Sequence, residues 1–148
     1  MDKISLIAVD LDGTLLNSAG QVAPEGGRAL TEAACAGVRV VLATTRNPDT
    51  VRHVCQRLAL RDPMICTNGA QVWGSPEGPI WLCDTIPRAA AWQIARLADQ
   101  HGWELSTTIG DTAYWRQRPG QPLGHLRPDV VIVPTNVAAM IGDPVRII

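Results

Sequence analysis

The chain has 148 residues, room for one domain or for a domain with part of a second. Hydrophobic residues make up 46% and charged residues 18%, a balance that excludes a disordered chain. A net charge of −1 with no basic stripe excludes the electrostatic footprint of a nucleic-acid binder. The apolar runs are too short to span a bilayer. The N-terminus lacks the basic, long apolar and small-residue segments of a signal peptide, so no membrane partner and a cytoplasmic location are expected. Cys35, Cys55, Cys66 and Cys83 have no C-x-x-C spacing and sit in apolar contexts, which reads as reduced, mostly buried thiols. His53 and His101 fall in predicted helices, and His125 is isolated.

Residues 4–10 form a continuous apolar run, the pattern of a strand buried on both faces of a parallel sheet. Residues 11–23, with Gly13, Asn17, Ser18 and Gly20, read as a loop or small flap. Pro24 and Glu25 suit a first helical turn, with Ala29, Leu30, Ala33 and Ala34 as its apolar face and Gly37 just past its end. Residues 38–43 are a second strand ending in Thr44-Thr45-Arg46. Pro48 and Asp49 open another helix, and Pro63 breaks it before a short third strand, Met64 to Thr67. Asn68-Gly69 is a turn signal.

The order strand, helix, strand, helix, strand predicts a doubly wound α/β sheet with right-handed crossovers. In such sheets chemistry collects at the carboxyl ends of the strands, where Asp10, Asp12, Thr44, Arg46 and Asn68 all fall. Beyond Asn68 the character changes. Residues 71–73 and 79–83 flank Gly74 to Gly78 as a hairpin. Residues 87–101 give the clearest helix, from Pro87 to Gly102. Residues 103–109 and 112–115 pair around Gly110-Asp111, residues 116–129 read as a long loop, and 130–133 and 145–148 are strand-like. The expected organisation is therefore an α/β core over 1–69 and an α+β domain over 70–148.

Asp10 and Asp12 carry the chemistry. Two carboxylates one residue apart at a poorly solvated strand end repel each other and call for a cation, and Mg²⁺ is the hard ion that oxygen ligands gather. Asp10 is placed to attack phosphorus and form an aspartyl-phosphate. Asp12 is placed to protonate the leaving oxygen and then deprotonate water. The plain alternative is a surface Asp pair in a turn. A calcium loop does not fit, because the turn glycine and the terminal glutamate of that motif are out of register. Taken alone, Thr44 is a strand-end or capping hydroxyl, Arg46 a solvated helix-start charge and Asn68 a turn residue.

Asp10-Leu11-Asp12-Gly13-Thr14-Leu15 resembles motif I of the haloacid dehalogenase (HAD) superfamily of phosphohydrolases. The resemblance implies Asp10 as nucleophile and Asp12 as acid/base. It places Mg²⁺ on the first carboxylate and the main-chain carbonyl of the second Asp. Val40 to Arg46 resembles motif II of the Cof-type branch, where the strand ends in Ala-Thr-Gly-Arg. Thr44 would then hydrogen-bond the transferring phosphoryl group, Thr45 replaces the usual Gly at the phosphate-contact turn, and Arg46 is an anion contact. Thr67-Asn68-Gly69-Ala70 resembles the segment leading from core to cap, with Asn68 toward the site. Residues 70–148 resemble part of the α/β cap that selects substrates, and Arg116, Arg118, His125 and Arg127 are candidate contacts for an anionic substrate.

The family's motif III lysine and motif IV acidic pair find no match. The one lysine, Lys3, precedes the first strand, and Gly142-Asp143 has no second acid after it. The resemblance covers nearly all of this chain but about the first half of a family member, so a partial HAD core with an incomplete cap, shortened at the C-terminus, is expected. It leaves the first strand with a bare edge, a surface for self-association. The function implied is Mg²⁺-dependent hydrolysis of a small phosphorylated metabolite such as a sugar phosphate, with little turnover by this chain. The alternatives are a non-catalytic remnant that binds phosphate or Mg²⁺, and a complete small enzyme using Asp143 as a metal ligand.

Overall fold

A computed structural model describes residues 3–117 and 130–148. Arg118, His125 and Arg127, and most of the loop expected over 116–129, lie outside the described residues. The chain divides into two compact units, 1–83 and 84–148.

The first unit holds strands β1 (Leu6–Val9), β2 (Arg39–Ala43), β3 (Met64–Cys66), β4 (Gln71–Trp73) and β5 (Ile80–Cys83), with helices α1 (Pro24–Cys35) and α2 (Pro48–Leu58). The sheet order is β1-β2-β3-β4-β5. β1 to β3 are parallel, with Ile7 opposite Val40 and Leu42 opposite Met64. Both helices open on a proline, whose fixed φ suits the first turn and whose missing N–H is not needed there. α2 carries Asp49 in its first turn and Arg57 in its last, each matched to the helix dipole. The core comprises Leu11, Leu15 and Leu16 from the segment after β1, Val40 and Leu42 from β2, Val51, Val54 and Cys55 from α2, and Met64 and Cys66 from β3.

Three expectations need correction. β1 is an edge strand, so it is not buried on both faces: Leu6 is 48% exposed, and Ile4 just before it 68%. An apolar run marks a strand, but burial depends on neighbours that the run does not specify. The hairpin 71–83 does not start the second domain. β4 pairs antiparallel with β3, Ile65 opposite Val72, and extends the first sheet, so the division falls after Cys83 rather than Gly69. Arg52 fastens this hairpin to α2: its guanidinium lies 4.3 Å over the Trp73 ring and its Nε donates to the Pro76 carbonyl at 2.9 Å. Finally, Cys55 and Cys66 are buried, whereas Cys35 and Cys83 are exposed.

The second unit packs α3 (Arg88–His101) with β6 (Ser106–Ile109), β7 (Thr112–Arg116), β8 (Val130–Val133) and β9 (Arg146–Ile147), in sheet order β8-β7-β6-β9. The small residues Ala91, Ala95 and Ala98 recur along one face of α3 and are buried. Ala91 and Ala95 cluster with Val133, Ala139 and Met140. Asn136 is buried and satisfied, accepting from Leu105 N at 3.1 Å and donating to the Trp103 carbonyl at 2.8 Å. Asp143 pairs with Arg88 at 3.2 Å, just ahead of β9. Among the described residues, no helix is long and apolar enough to cross a membrane.

Candidate active site

Because β1, β2 and β3 run parallel, the residues that follow them emerge on one rim of the sheet. An open cavity of about 310 Å³ lies there, lined by Asp10, Ala43, Thr44, Thr45, Ile65, Asn68 and Gly69. A larger opening of about 430 Å³, between the end of α2 and the β4–β5 turn, contains none of the strand-end residues.

The turn after β1 is held by alternation. Leu11 is fully buried between the exposed Asp10 and Asp12, and Leu15 and Leu16 are buried beyond them. Leu15 N donates to the Asp10 carbonyl at 3.3 Å and Leu16 N to the Leu11 carbonyl at 2.8 Å. Gly13, at φ +77°, takes the left-handed position this reversal requires. Thr14 Oγ1 lies 3.5 Å from Asp10 Oδ2, a donor to the carboxylate that sequence reasoning did not single out.

Thr44 is nearly buried, and its Oγ1 accepts from Arg46 N at 3.2 Å. A hydroxyl that accepts in this way keeps its O–H to donate into the cavity it lines. The capping role and the phosphate-facing role are therefore compatible. Asn68 stands in a run of left-handed residues, Thr67 at φ +55°, Asn68 at +58° and Gly69 at +89°. Left-handed geometry at a β-branched threonine costs on the order of 1–3 kcal/mol and persists only where the surroundings enforce it. Here Thr67 N donates to the Arg46 carbonyl at 3.0 Å, Asn68 N to the Thr44 carbonyl at 3.3 Å, and Thr67 Oγ1 bonds Gln71 Oε1 at 2.9 Å. These bonds tie the exit of β3 to that of β2.

Arg46 and Asp12 are brought together beside the cavity. Arg46 Nε donates to Asp12 Oδ2 at 2.8 Å and Nη2 to Oδ1 at 2.6 Å, a bidentate pair. The hydrogen bond to Asp12 raises the Arg46 pKa further, and burial opposes it. The sequence placed Arg46 as an anion contact without indicating this partner.

Among the described residues, no group of three or more His, Cys, Asp or Glu side chains gathers to hold a metal. The donors at the rim nonetheless fit Mg²⁺, which keeps several waters and takes one or two carboxylates plus substrate oxygens. Asp10 lines the cavity and is the acidic residue there that could hold the ion. Arg46 engages both Asp12 carboxylate oxygens, and the Asp12 main-chain carbonyl is the second ligand that the motif I resemblance implies.

Three parallel strands in a mixed sheet, with polar residues delivered to one rim, define a Rossmann-like α/β fold. The sequence profile of the haloacid dehalogenase-like hydrolases matches residues 7–130, and the chain belongs to that family. It is 34% identical to the phosphatase YwpJ of Bacillus subtilis, over 77% of this chain and 40% of that protein. It is 32% identical to the pyridoxal phosphate phosphatase YbhA of Escherichia coli, over 82% of this chain and 43% of that protein. The structure of the HAD subclass IIB sugar phosphatase BT4131 superposes with a TM-score of 0.73 at 19% identity, covering 95% of this chain and 56% of that one. The chain thus spans about two fifths of the length of the curated relatives it matches.

Proposed function

We propose that this hydrolase is an Mg²⁺-dependent phosphatase that acts on a small phosphorylated metabolite through an aspartyl-phosphate on Asp10. The observation that carries the reading is that Asp10, Thr44 and Asn68, from the ends of three parallel strands, line one cavity. An Asp10 carboxylate oxygen attacks phosphorus and the ester oxygen leaves. Asp12, released from Arg46 and protonated from solvent, gives that proton to the leaving oxygen, then takes one from the water that hydrolyses the acyl-phosphate. Thr44, Asn68 and the turn at Thr45 orient the phosphoryl oxygens. Mg²⁺, when bound, supplies neutralisation of the charge between carboxylate and phosphate. Asp10 and Asp12 are thus both the catalytic pair and, through carboxylate and carbonyl respectively, its ligands.

A small substrate is supported by the relatives, which include a pyridoxal phosphate phosphatase and, in fold, a sugar phosphatase. The second unit is the cap of this reading, and Arg116 is its described candidate for substrate contact. It is already engaged, with Nη1 donating to the Trp103 carbonyl at 2.9 Å and facing Asp99 at 3.6 Å. The open edge of β1 is a surface for self-association.

The test is hydrolysis of a panel of small phosphate esters by the 148-residue chain with and without Mg²⁺. Slow, Mg²⁺-dependent release of phosphate is expected, falling to background in Asp10→Asn. Hydrolysis that survives Asp10→Asn, or that ignores the metal, contradicts the reading.

A further inference from the structure

Arg46 is held both by its main chain and by its guanidinium. Its main chain is fixed at the rim: the N–H is held by Thr44 Oγ1 and the carbonyl by Thr67 N. Its side chain is 20% exposed and turns both its Nε and Nη2 donors onto Asp12, whose side chain is 52% exposed. The arginine is therefore the more enclosed member of the pair, with its main chain anchored, and the carboxylate the more exposed one. A phosphoryl group resting against Thr44 lies against a residue only two positions from this cation in sequence. A carboxylate held by two charge-assisted hydrogen bonds is not free to face a leaving oxygen. A guanidinium whose Nε and Nη2 face a carboxylate has its charge largely neutralised there and pulls less on a second anion.

We infer that Arg46 is a shared cation which clamps Asp12 in the empty site and transfers to the phosphoryl oxygens when they bind, releasing the Asp12 carboxylate to take a proton from solvent and turn toward the leaving group. The inference rests on the phosphatase reading and adds a positioning role for Arg46 through Asp12, beside its contact with the phosphate. Acid catalysis then becomes available only when an anion occupies the cavity.

Binding of inorganic phosphate, at constant Mg²⁺, to the full 148-residue chain tests this as a double-mutant cycle. Asp12→Asn removes the competitor and is expected to tighten phosphate binding about tenfold, the scale of one charge-assisted hydrogen bond. Arg46→Ala is expected to weaken it about tenfold. In the Arg46→Ala background the gain from Asp12→Asn is expected to vanish. An equal gain in both backgrounds is simple charge repulsion and overturns the proposal. A second readout needs no variant protein in the binding step. The Arg46 Nε–H resonance, assigned as the one missing from Arg46→Lys, is expected to shift on adding phosphate to the wild-type chain. Phosphate binding that leaves this resonance unmoved overturns the shared cation while the phosphate site stands. Failure of the wild type and every variant to bind phosphate overturns both the shared cation and the phosphatase reading.

Discussion

Asp10 and Asp12 face solvent because the residue between them does not. Leu11 is fully buried and pins the turn, so the two carboxylates project while the backbone is drawn into the core. This alternation is visible in the sequence, as is the delivery of Thr44 and Asn68 to the same rim, because strand ends in a parallel sheet share a side. The partner of Arg46 was not legible, since a bidentate contact across 34 residues depends on how two loops meet. Thiol burial was only half legible, because exposure of Cys35 and Cys83 is set by their distance from the core and not by their apolar neighbours. Burial pushes the Cys55 thiol from 9.0 up to about 11. Burial, with Cys55 nearby, pushes Cys66 up to about 12. A thiol-reactive disulfide reagent at neutral pH is expected to modify Cys35 and Cys83 and to spare Cys55 and Cys66 until the chain unfolds. The fold favours the neutral thiols, so their contribution is intact below the unfolded value of 9.0 and is lost as pH rises through the folded values of about 11 and 12. Denaturation midpoints are accordingly expected to fall above that unfolded value.

At the level of elements, the helices and strands form where prolines, glycines and apolar spacing place them: α1, α2 and α3 start at or just after a proline without a side-chain cap bond, and α1 and α3 end on a left-handed glycine. α2 is the exception in one respect. It closes on Ala59, a non-glycine residue at φ +53°, where Leu60 N donates back to the Cys55 carbonyl at 2.9 Å. L-residues disfavour this conformation by about 1–2 kcal/mol. Ala59→Gly is therefore expected to stabilise the first unit by about 1 kcal/mol, after the larger entropy of glycine in the unfolded chain is counted. A higher denaturant midpoint with unchanged slope checks this. The hairpin of β4 and β5 shows what local pattern leaves out. Gly74 to Gly78 marks a turn, but only the pairing of Ile65 with Val72 and the stacking of Arg52 on Trp73 assign it to the first sheet.

For the whole molecule, the sheet order leaves β1 at an edge, flanked by the exposed side chains of Ile4 and Leu6. Such an edge, apolar and without a charge inside the strand, is a template for pairing with another chain. Sedimentation of the 148-residue chain is expected to show concentration-dependent association that Leu6→Lys reduces. A monomer at every concentration removes self-association from the account. The family, the sheet and the rim bring one claim to the centre, that Asp10 accepts a phosphoryl group. Trapping it is the most direct measurement: incubation with a small phosphate ester and Mg²⁺, borohydride reduction of any acyl-phosphate, and mass mapping of the modified peptide. The account predicts reduction at Asp10 in the wild-type chain and none in Asp10→Asn. No modification, or modification at another residue, contradicts it and leaves the chain a phosphate- or Mg²⁺-binding remnant of its family.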